Sequence, residues 1–223
     1  MKKLIIICLS ISITFSVFLF AEEVSNSIEL LKPQIDEKPL LKIMNERMST
    51  REYSNKEIPD QMLSNLLWAA FGINRPETGM RTAPSAINAQ EIDIYVANAA
   101  GLYLYEPKKH VLELIHNEDI REHTGNPGTE YAKTAPVNLI LVLDSAKFSM
   151  FADYEEMVKI MAFSDAGFIG QNIYLFCASE KLATVVLGAI DSEKLHKLMK
   201  LRDEQSVLFS LPVGYFKIGD SNE

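Results

Sequence analysis

Residues 81–90 are Arg-Thr-Ala-Pro-Ser-Ala-Ile-Asn-Ala-Gln, a polar stretch between a helical pattern and a strand pattern. Pro84 has a fixed backbone φ and disfavours helix at the residue before it, so the helix has to end upstream. Ser85, Asn88 and Gln90 place short donors and acceptors along the loop. A loop that only connects two elements is more often short and rich in glycine. We therefore expect this loop to bind a flat ligand that is rich in nitrogen and oxygen atoms.

A second polar segment, 47–51, follows a predicted helix over residues 39–48. Arg47 and Arg51 are four residues apart, with Ser49 between them. Two guanidinium groups and a hydroxyl suit a phosphate, because arginine is always charged and offers a planar set of donors. The alternative is that both arginines are solvated surface residues, and the sequence leaves that alternative open.

The remaining pattern predicts strands and helices within one domain. Alternating apolar and polar residues predict three strands in an antiparallel meander, and a nearly continuous apolar run predicts a strand in the centre of a sheet. The predicted meander strands are 91–97, 101–105 and 111–115, the central strand is 136–144, the last strand is 206–217, and the helices after residue 50 are 58–71, 154–179 and 192–201. Pro212 falls inside the last strand, which favours an edge position or a bulge there.

The longest predicted helix, 154–179, has small residues in its middle, namely Ala166, Gly167 and Gly170. Each glycine costs about 1 kcal/mol in a helix interior relative to alanine. We therefore expect a packing reason for them, which is the close approach of another helix or of a cofactor.

The N-terminus has the pattern of a secretory leader. Lys2 and Lys3 precede an uncharged apolar run that ends at Ala21, which predicts a leader over residues 1–21. An uncleaved membrane anchor is the alternative, since the run is close to the length of a membrane span. Both alternatives place the rest of the chain outside the cytoplasm. We expect residues 22–38 to be an irregular tether and residues 39–223 to form the functional domain.

Charge and cysteine content exclude several classes of function. The net charge is −8, and removal of the leader with its two lysines takes it to −10. A chain this acidic should be repelled by nucleic acid and by anionic membranes, so contact with a membrane is expected only through an uncleaved leader. Cys177 is the only cysteine after the leader, and the four histidines lack metal-ligand spacing. We therefore expect no internal disulfide and no metal site.

Four segments, in this order, resemble the FMN-dependent nitroreductase superfamily. They are 47–51, the Pro-Ser-Ala-Ile-Asn-Ala-Gln loop at 84–90, the helix 167–178 that leads into Val-Leu-Gly-Ala at 186–189, and the terminal Leu-Pro-Val-Gly-Tyr at 211–215. The Gln-Asn-Ile-Tyr-Leu run at 171–175 is most similar to the short nitroreductases that are grouped with azoline dehydrogenases. The resemblance covers about residues 40–217.

The resemblance implies an α+β fold, with a mostly antiparallel central sheet flanked by helices around a long central helix. It also implies an intertwined homodimer with FMN at the interface. Relatives usually have a glycine-containing turn where this chain has Lys181-Leu182-Ala183. The cofactor residues that the resemblance implies are Arg47, Ser49 and Arg51 for the phosphate and ribityl chain, Pro84, Ser85, Asn88 and Gln90 for the flavin ring and ribityl chain, and Leu187 and Gly188 for the N5 and O4 edge.

The implied activity is an oxidoreductase in which the flavin carries the chemistry, so no protein residue is expected to be catalytic. NADH or NADPH, or another donor, would deliver a hydride to FMN. A nitro compound, a quinone or a similar small acceptor would then take the electrons in a ping-pong scheme. Two alternatives remain, which are a dehydrogenase of azoline-type peptides and a non-catalytic, flavin-binding exported dimer.

Overall fold

The computed structural model describes residues 26–35, 37–151 and 153–217, and the predicted leader lies outside them. Within this part of the chain, seven strands form one antiparallel sheet in the order β1-β6-β5-β4-β7-β9-β8. β2 and β3 form a separate two-stranded ribbon. The strands are β1 Ser27–Glu29, β2 Ile73–Arg75, β3 Met80–Arg81, β4 Ile92–Asn98, β5 Gly101–Glu106, β6 Val111–His116, β7 Val137–Asp144, β8 Leu182–Thr184 and β9 Gln205–Tyr215.

The α-helices in the described residues are α1 Leu40–Glu46, α2 Asp60–Phe71, α3 Glu155–Glu180 and α4 Ser192–Leu198. The predicted antiparallel α+β fold with a long helix is confirmed. Asp191 caps α4, because its side chain accepts a hydrogen bond from the Lys194 backbone N–H at 3.0 Å. α3 ends at Lys181, whose φ of +56° is a left-handed conformation that glycine adopts more easily.

β7 lies in the centre of the sheet, and all eight of its residues are buried. Its side chains alternate between two apolar clusters on opposite faces of the sheet. Leu139 and Leu141 pack into the cluster formed with α2 and α3. Ile140 and Val142 pack into the cluster formed with α4. Burial on both faces is why this strand is apolar almost throughout, and the prediction of a central strand is confirmed.

The prediction for Pro212 is wrong in detail. β9 is not an edge strand, because it pairs with β7 on one side and with β8 on the other. On the β8 side, pairing ends at Thr184 and resumes only at Leu187, which exchanges backbone hydrogen bonds with Ser210 at 2.8 and 3.0 Å. Since alternate residues of a strand direct their backbone groups to the same neighbour, Pro212 faces this gap. Its missing N–H therefore removes no sheet hydrogen bond.

The prediction of an irregular tether over residues 22–38 is also wrong for its described part. β1 pairs with β6 at the edge of the sheet. The Leu30 backbone N–H donates to the His110 carbonyl at 3.0 Å, and the buried Ser64 hydroxyl donates to the Leu31 carbonyl. The polar composition of this segment suits an edge strand that contacts the domain with few apolar residues.

Candidate functional site

The segment 47–51 runs beside the C-terminal half of α3. The Thr50 backbone N–H donates to the carbonyl of Thr184 in β8 at 2.9 Å, which fixes the path of the chain. Ser49 Oγ lies 2.9 Å from the Tyr174 hydroxyl. The Arg47 guanidinium lies over the Tyr174 ring, 5.3 Å from its centroid, in a cation–π contact. Arg51 is exposed. Tyr174 thus holds one cation and a hydroxyl at one surface, and a second, exposed cation follows Ser49 by two residues.

Tyr174 connects this segment to the chain that follows β8. Its hydroxyl oxygen accepts a hydrogen bond from the Val186 backbone N–H at 3.0 Å, so it can donate its own proton to Ser49. The sequence analysis included Tyr174 in a motif but gave it no role in the site. Only the fold shows that one hydroxyl joins two segments that are more than a hundred residues apart.

Leu187 and Gly188 differ in whether their backbone is available to a ligand. The Leu187 side chain is buried and its N–H donates to Ser210, so this group is already used inside the sheet. Gly188 is exposed. Of the two residues that the resemblance implies for the edge of the ring, the structure leaves Gly188 as the accessible one.

The loop 81–90 is held in shape by its own side chains. The Gln90 amide oxygen accepts from Arg81 Nε at 2.7 Å. Its amide nitrogen donates to the Gly79 carbonyl at 3.0 Å and to Asn88 Oδ1 at 3.1 Å. Ser85 Oγ accepts from the Gln90 backbone N–H at 2.9 Å. Both ends of the Gln90 side chain are therefore engaged within the loop rather than directed at a ligand.

The loop also has a strained backbone. Ile87, Asn88 and Gln90 have φ values of +48°, +57° and +52°. These values lie in the left-handed region, which residues other than glycine and asparagine rarely adopt. Pro84 and Asn88 are exposed. The hydrogen bonds around Gln90 thus maintain a conformation that presents Asn88 and the neighbouring backbone to the surface.

Two buried acids anchor this loop to the protein. Asp165 of α3 is 4% exposed, and its Oδ2 accepts from the Ala86 backbone N–H at 2.7 Å. Glu91 directly follows the loop and is fully buried. Burial, together with the neighbouring Asp165 carboxyl group, raises the pKa of Glu91 to about 7.

The sequence analysis missed both acids. The signal for Asp165 was its position on the apolar face of the helix, three residues after Ala162 and four before Ile169, which are both buried. Glu91 had no such signal, because its position at the start of a strand is compatible with either face of the sheet.

Comparison with known proteins shows the family of this chain. The model of the nitroreductase family matches residues 44–215. The chain belongs to the nitroreductase family. Two relatives carry the description "putative nitroreductase". One, from Methanocaldococcus jannaschii, is 28% identical and the match covers 85% of this chain and 97% of the relative. The other is a crystal structure from Ralstonia eutropha with 34% identity and a TM-score of 0.80, covering 86% of this chain and 90% of the other.

A more distant structure is similar in fold. It is the NADPH:FMN oxidoreductase from Vibrio harveyi complexed with NAD+, at 15% identity and a TM-score of 0.59, with coverage of 82% of this chain and 71% of the other. That likeness shows the fold alone. The family match itself assigns this nitroreductase-family protein to the oxidoreductases.

The residues present at the site fit a flavin nucleotide. Arg47 and Arg51 offer permanent positive charge for a phosphate. Asn88 offers an amide to ring carbonyl and N–H groups, and Gly188 offers exposed backbone. A side chain added at Gly167 on α3 would meet no atom within 4 Å, so the helix surface is open at that point. The arginines, the Asn88 amide and the exposed backbone of Gly188 all lie on segments that contact α3 or follow β8, and α3 itself has open space beside Gly167.

Proposed function

We propose that this nitroreductase-family protein binds FMN and transfers electrons from reduced nicotinamide, or from another hydride donor, to a nitro compound, a quinone or a similar small acceptor by a ping-pong scheme. The observation that carries the proposal is that α3 holds both polar segments. Tyr174 binds Ser49, and Asp165 binds Ala86. These two anchors are nine residues apart, which corresponds to about 13 Å along a helix.

Arg47, Ser49 and Arg51 would hold the phosphate. The charge-assisted hydrogen bonds of arginine to phosphate are roughly twice as strong as neutral ones. Ser49 is already oriented by Tyr174, so its hydroxyl loses little conformational freedom when a ligand binds. The contact of Arg47 with the Tyr174 ring restricts the guanidinium in the same way.

The loop 84–88 and Gly188 would hold the ring. FMN supplies reversible two-electron chemistry when bound, so no nucleophile or general base of the protein is needed. Asn88 would orient the ring through its amide, and the exposed backbone of Gly188 would donate to the edge that gains negative charge on reduction. Ser85 and Gln90 would act indirectly, because their hydrogen bonds shape the loop.

The visible absorption spectrum of the purified protein, recorded before and after addition of FMN, tests this proposal. We expect a bound-flavin spectrum that bleaches on addition of NADH or NADPH under anaerobic conditions and returns on addition of a quinone or nitroaromatic compound. A protein that binds FMN without turnover with any donor would support the non-catalytic alternative. A protein that takes up no FMN would overturn the proposal.

We also propose that the functional unit is a homodimer. Large apolar side chains are exposed beside the candidate site, on α1, on the loop and along α3. They include Leu41 at 80%, Ile160 at 65%, Ile87 at 60% and Phe163 at 47% exposed. A monomer of this size rarely exposes so many large apolar residues in neighbouring elements.

Sedimentation velocity tests the dimer. We expect twice the mass of the chain for the wild type and a monomer for Phe163→Glu, since a carboxylate would be buried in the interface. Ile35→Glu is the control, because it adds the same charge at an exposed apolar residue of the N-terminal segment. A monomeric wild type would contradict the proposal.

We propose, finally, that the protein is exported by its N-terminal leader. The support is the basic start and apolar run of residues 1–21. Among the described residues, no helix is both long and apolar enough to cross a membrane. Cell fractionation and the intact mass of the isolated protein test the proposal. A full-length protein in the cytoplasmic fraction would overturn it.

A further inference from the structure

A pair of carboxyl groups lies beneath the loop that carries Asn88. Asp165 approaches from α3 and holds the loop through the Ala86 N–H at 2.7 Å. Glu91 is the first residue after the loop, and its carboxyl group neighbours that of Asp165, which raises the pKa of Glu91. Both side chains are almost completely removed from water, at 0% and 4% exposed. Three polar groups thus follow one another beneath the loop, namely the Ala86 backbone N–H, the Asp165 carboxyl group and the Glu91 carboxyl group.

Glu91 lacks the partners that a buried carboxylate needs. Neither of its carboxyl oxygens receives a hydrogen bond from a donor in the part of the chain that the structure describes. An ionised, unpaired carboxylate in such a place costs several kcal/mol. A protonated Glu91 avoids that cost, because its O–H can donate to Asp165.

The charged groups around the pair do not neutralise it. Lys147 lies near Glu91, but its Nζ donates to Asp93 Oδ1 at 2.7 Å and to the Gln90 carbonyl at 3.2 Å. Arg81, on the other side of the loop, donates to Gln90 and to the Phe71 carbonyl. Both cations are therefore directed at other acceptors, and the carboxyl group of Asp165 is the acceptor that remains for Glu91.

We propose that Glu91 and Asp165 share one proton and that this pair positions the loop 85–90 for the flavin. Asp165, as the acceptor of two hydrogen bonds, fixes Ala86 and with it the left-handed turn at Ile87 and Asn88. Glu91 is a positioning residue, because it acts on the ligand only through Asp165 and the loop. The inference rests on the proposed function where it concerns the flavin, but the shared proton is a property of the protein alone.

The pair makes the loop sensitive to pH. When Glu91 loses its proton to solvent, two buried carboxylates face each other and repel, and the anchor of Ala86 weakens. The folded loop thus binds one proton more than the released loop. The contribution of this proton to loop anchoring is therefore fully present below about pH 4.5, the ordinary pKa of glutamate, and is lost as the pH rises through 7.

Hydrogen exchange of peptides that contain Ala86 tests the pair without any flavin. After correction for the intrinsic pH dependence of exchange, we expect the protection of this amide to fall between pH 6 and pH 8.5 in the wild type. In Glu91→Gln it should stay constant, because the amide of glutamine donates to Asp165 at every pH. The control is Glu113→Gln, which removes an exposed carboxylate from β6 and should behave like the wild type.

Titration with FMN over the same pH range tests the link to the ligand. We expect the Kd of the wild type to rise by up to about thirtyfold from pH 6 to pH 8.5, since binding that requires one proton weakens about tenfold per pH unit above the pKa. Glu91→Gln should show no such rise. Riboflavin serves as a second probe, because it lacks the phosphate, which itself titrates near pH 6.

The outcomes separate the two proposals. Exchange that falls with pH equally in wild type and Glu91→Gln would overturn the shared proton. A pH-dependent exchange with a pH-independent Kd would overturn the link between loop and flavin. If no variant binds FMN at any pH, the proposed function fails and the link to the flavin fails with it, while the exchange experiment still decides whether the pair holds the loop.

Discussion

The two anchors of the candidate site lie at different places along the same helix and differ in chemistry. Near its C-terminus, α3 uses the neutral Tyr174 hydroxyl to join Ser49 and the Val186 backbone. Near its middle, α3 uses the carboxyl group of Asp165 to hold Ala86, with a second buried acid behind it. The first anchor should be insensitive to pH, whereas the second depends on one proton. A single rigid element can therefore present one fixed and one adjustable part of a binding site.

The largest effect should come from the acidic anchor. The pKa of Glu91 is raised from its ordinary value near 4.5 to about 7 in the folded protein. Its contribution to stability is thus fully present below pH 4.5 and is lost as the pH rises through 7, with a magnitude on the order of 2–3 kcal/mol. Urea unfolding of wild type and Glu91→Gln at several pH values measures the difference. Two parallel curves of stability against pH would show that Glu91 titrates normally.

The next effect belongs to the phosphate segment at the other anchor. Arg47→Ala should weaken FMN binding by about 1.5–3 kcal/mol, the range for a hydrogen bond to a charged group. The change should not depend on pH between 6.5 and 8.5, because arginine remains charged. Isothermal titration gives the affinity. Lys42→Ala, which removes an exposed positive charge from α1, is the control. An equal loss of FMN affinity in both variants would show that Arg47 acts only through the net charge of the protein and not through contact with the phosphate.

Tyr174→Phe should have a smaller effect of about 1–2 kcal/mol on the free energy of unfolding. It removes the two hydrogen bonds of the hydroxyl and leaves the Val186 N–H without its acceptor. Chemical denaturation measures it, with Tyr154→Phe at an exposed residue just before α3 as the control. If the loss of unfolding free energy in Tyr174→Phe varied with pH in the same way as in Glu91→Gln, the two anchors would not differ in pH dependence.

The smallest effect is expected at the C-terminal end of α3. Lys181→Gly should stabilise the protein by about 1 kcal/mol, because a left-handed residue with a side chain is strained by that order of energy. Thermal unfolding detects the gain as a higher Tm. Lys197→Gly within α4 should instead lower the Tm, since glycine is unfavourable in a helix interior.

Much of the fold could be predicted because its signals are local. The alternating strands β4 to β6, the apolar β7 and the long helix α3 each follow from periodicity within a single segment. β1 could not be predicted in this way, because three residues with a single apolar side chain become a strand only where β6 offers a free edge. Pro212 favoured an edge position or a bulge in the sequence. The break in pairing that accommodates it could not be predicted, because it depends on the path of residues 185 and 186.

The candidate site was predictable in its exposed parts and not in its supports. Arg47, Ser49 and Asn88 could be proposed as site residues from their chemistry and from the resemblance. No sequence pattern indicates that the Gln90 side chain is hydrogen-bonded to Arg81, Gly79 and Asn88, because these bonds depend on the backbone of the turn. Glu91 and Asp165 are separated by more than seventy residues, and neither indicates the other in the sequence.

β1 places the start of the described chain at one margin of the sheet. β1 and β8 occupy opposite margins of the seven-stranded sheet, six strand spacings apart, or roughly 29 Å at about 4.8 Å per spacing. Asn26, whose carbonyl accepts a hydrogen bond from the Leu114 backbone N–H in β6, therefore lies at the margin far from Gly188. If the proposed leader were retained as an anchor, the domain would be attached to the membrane from the margin opposite to the proposed flavin edge.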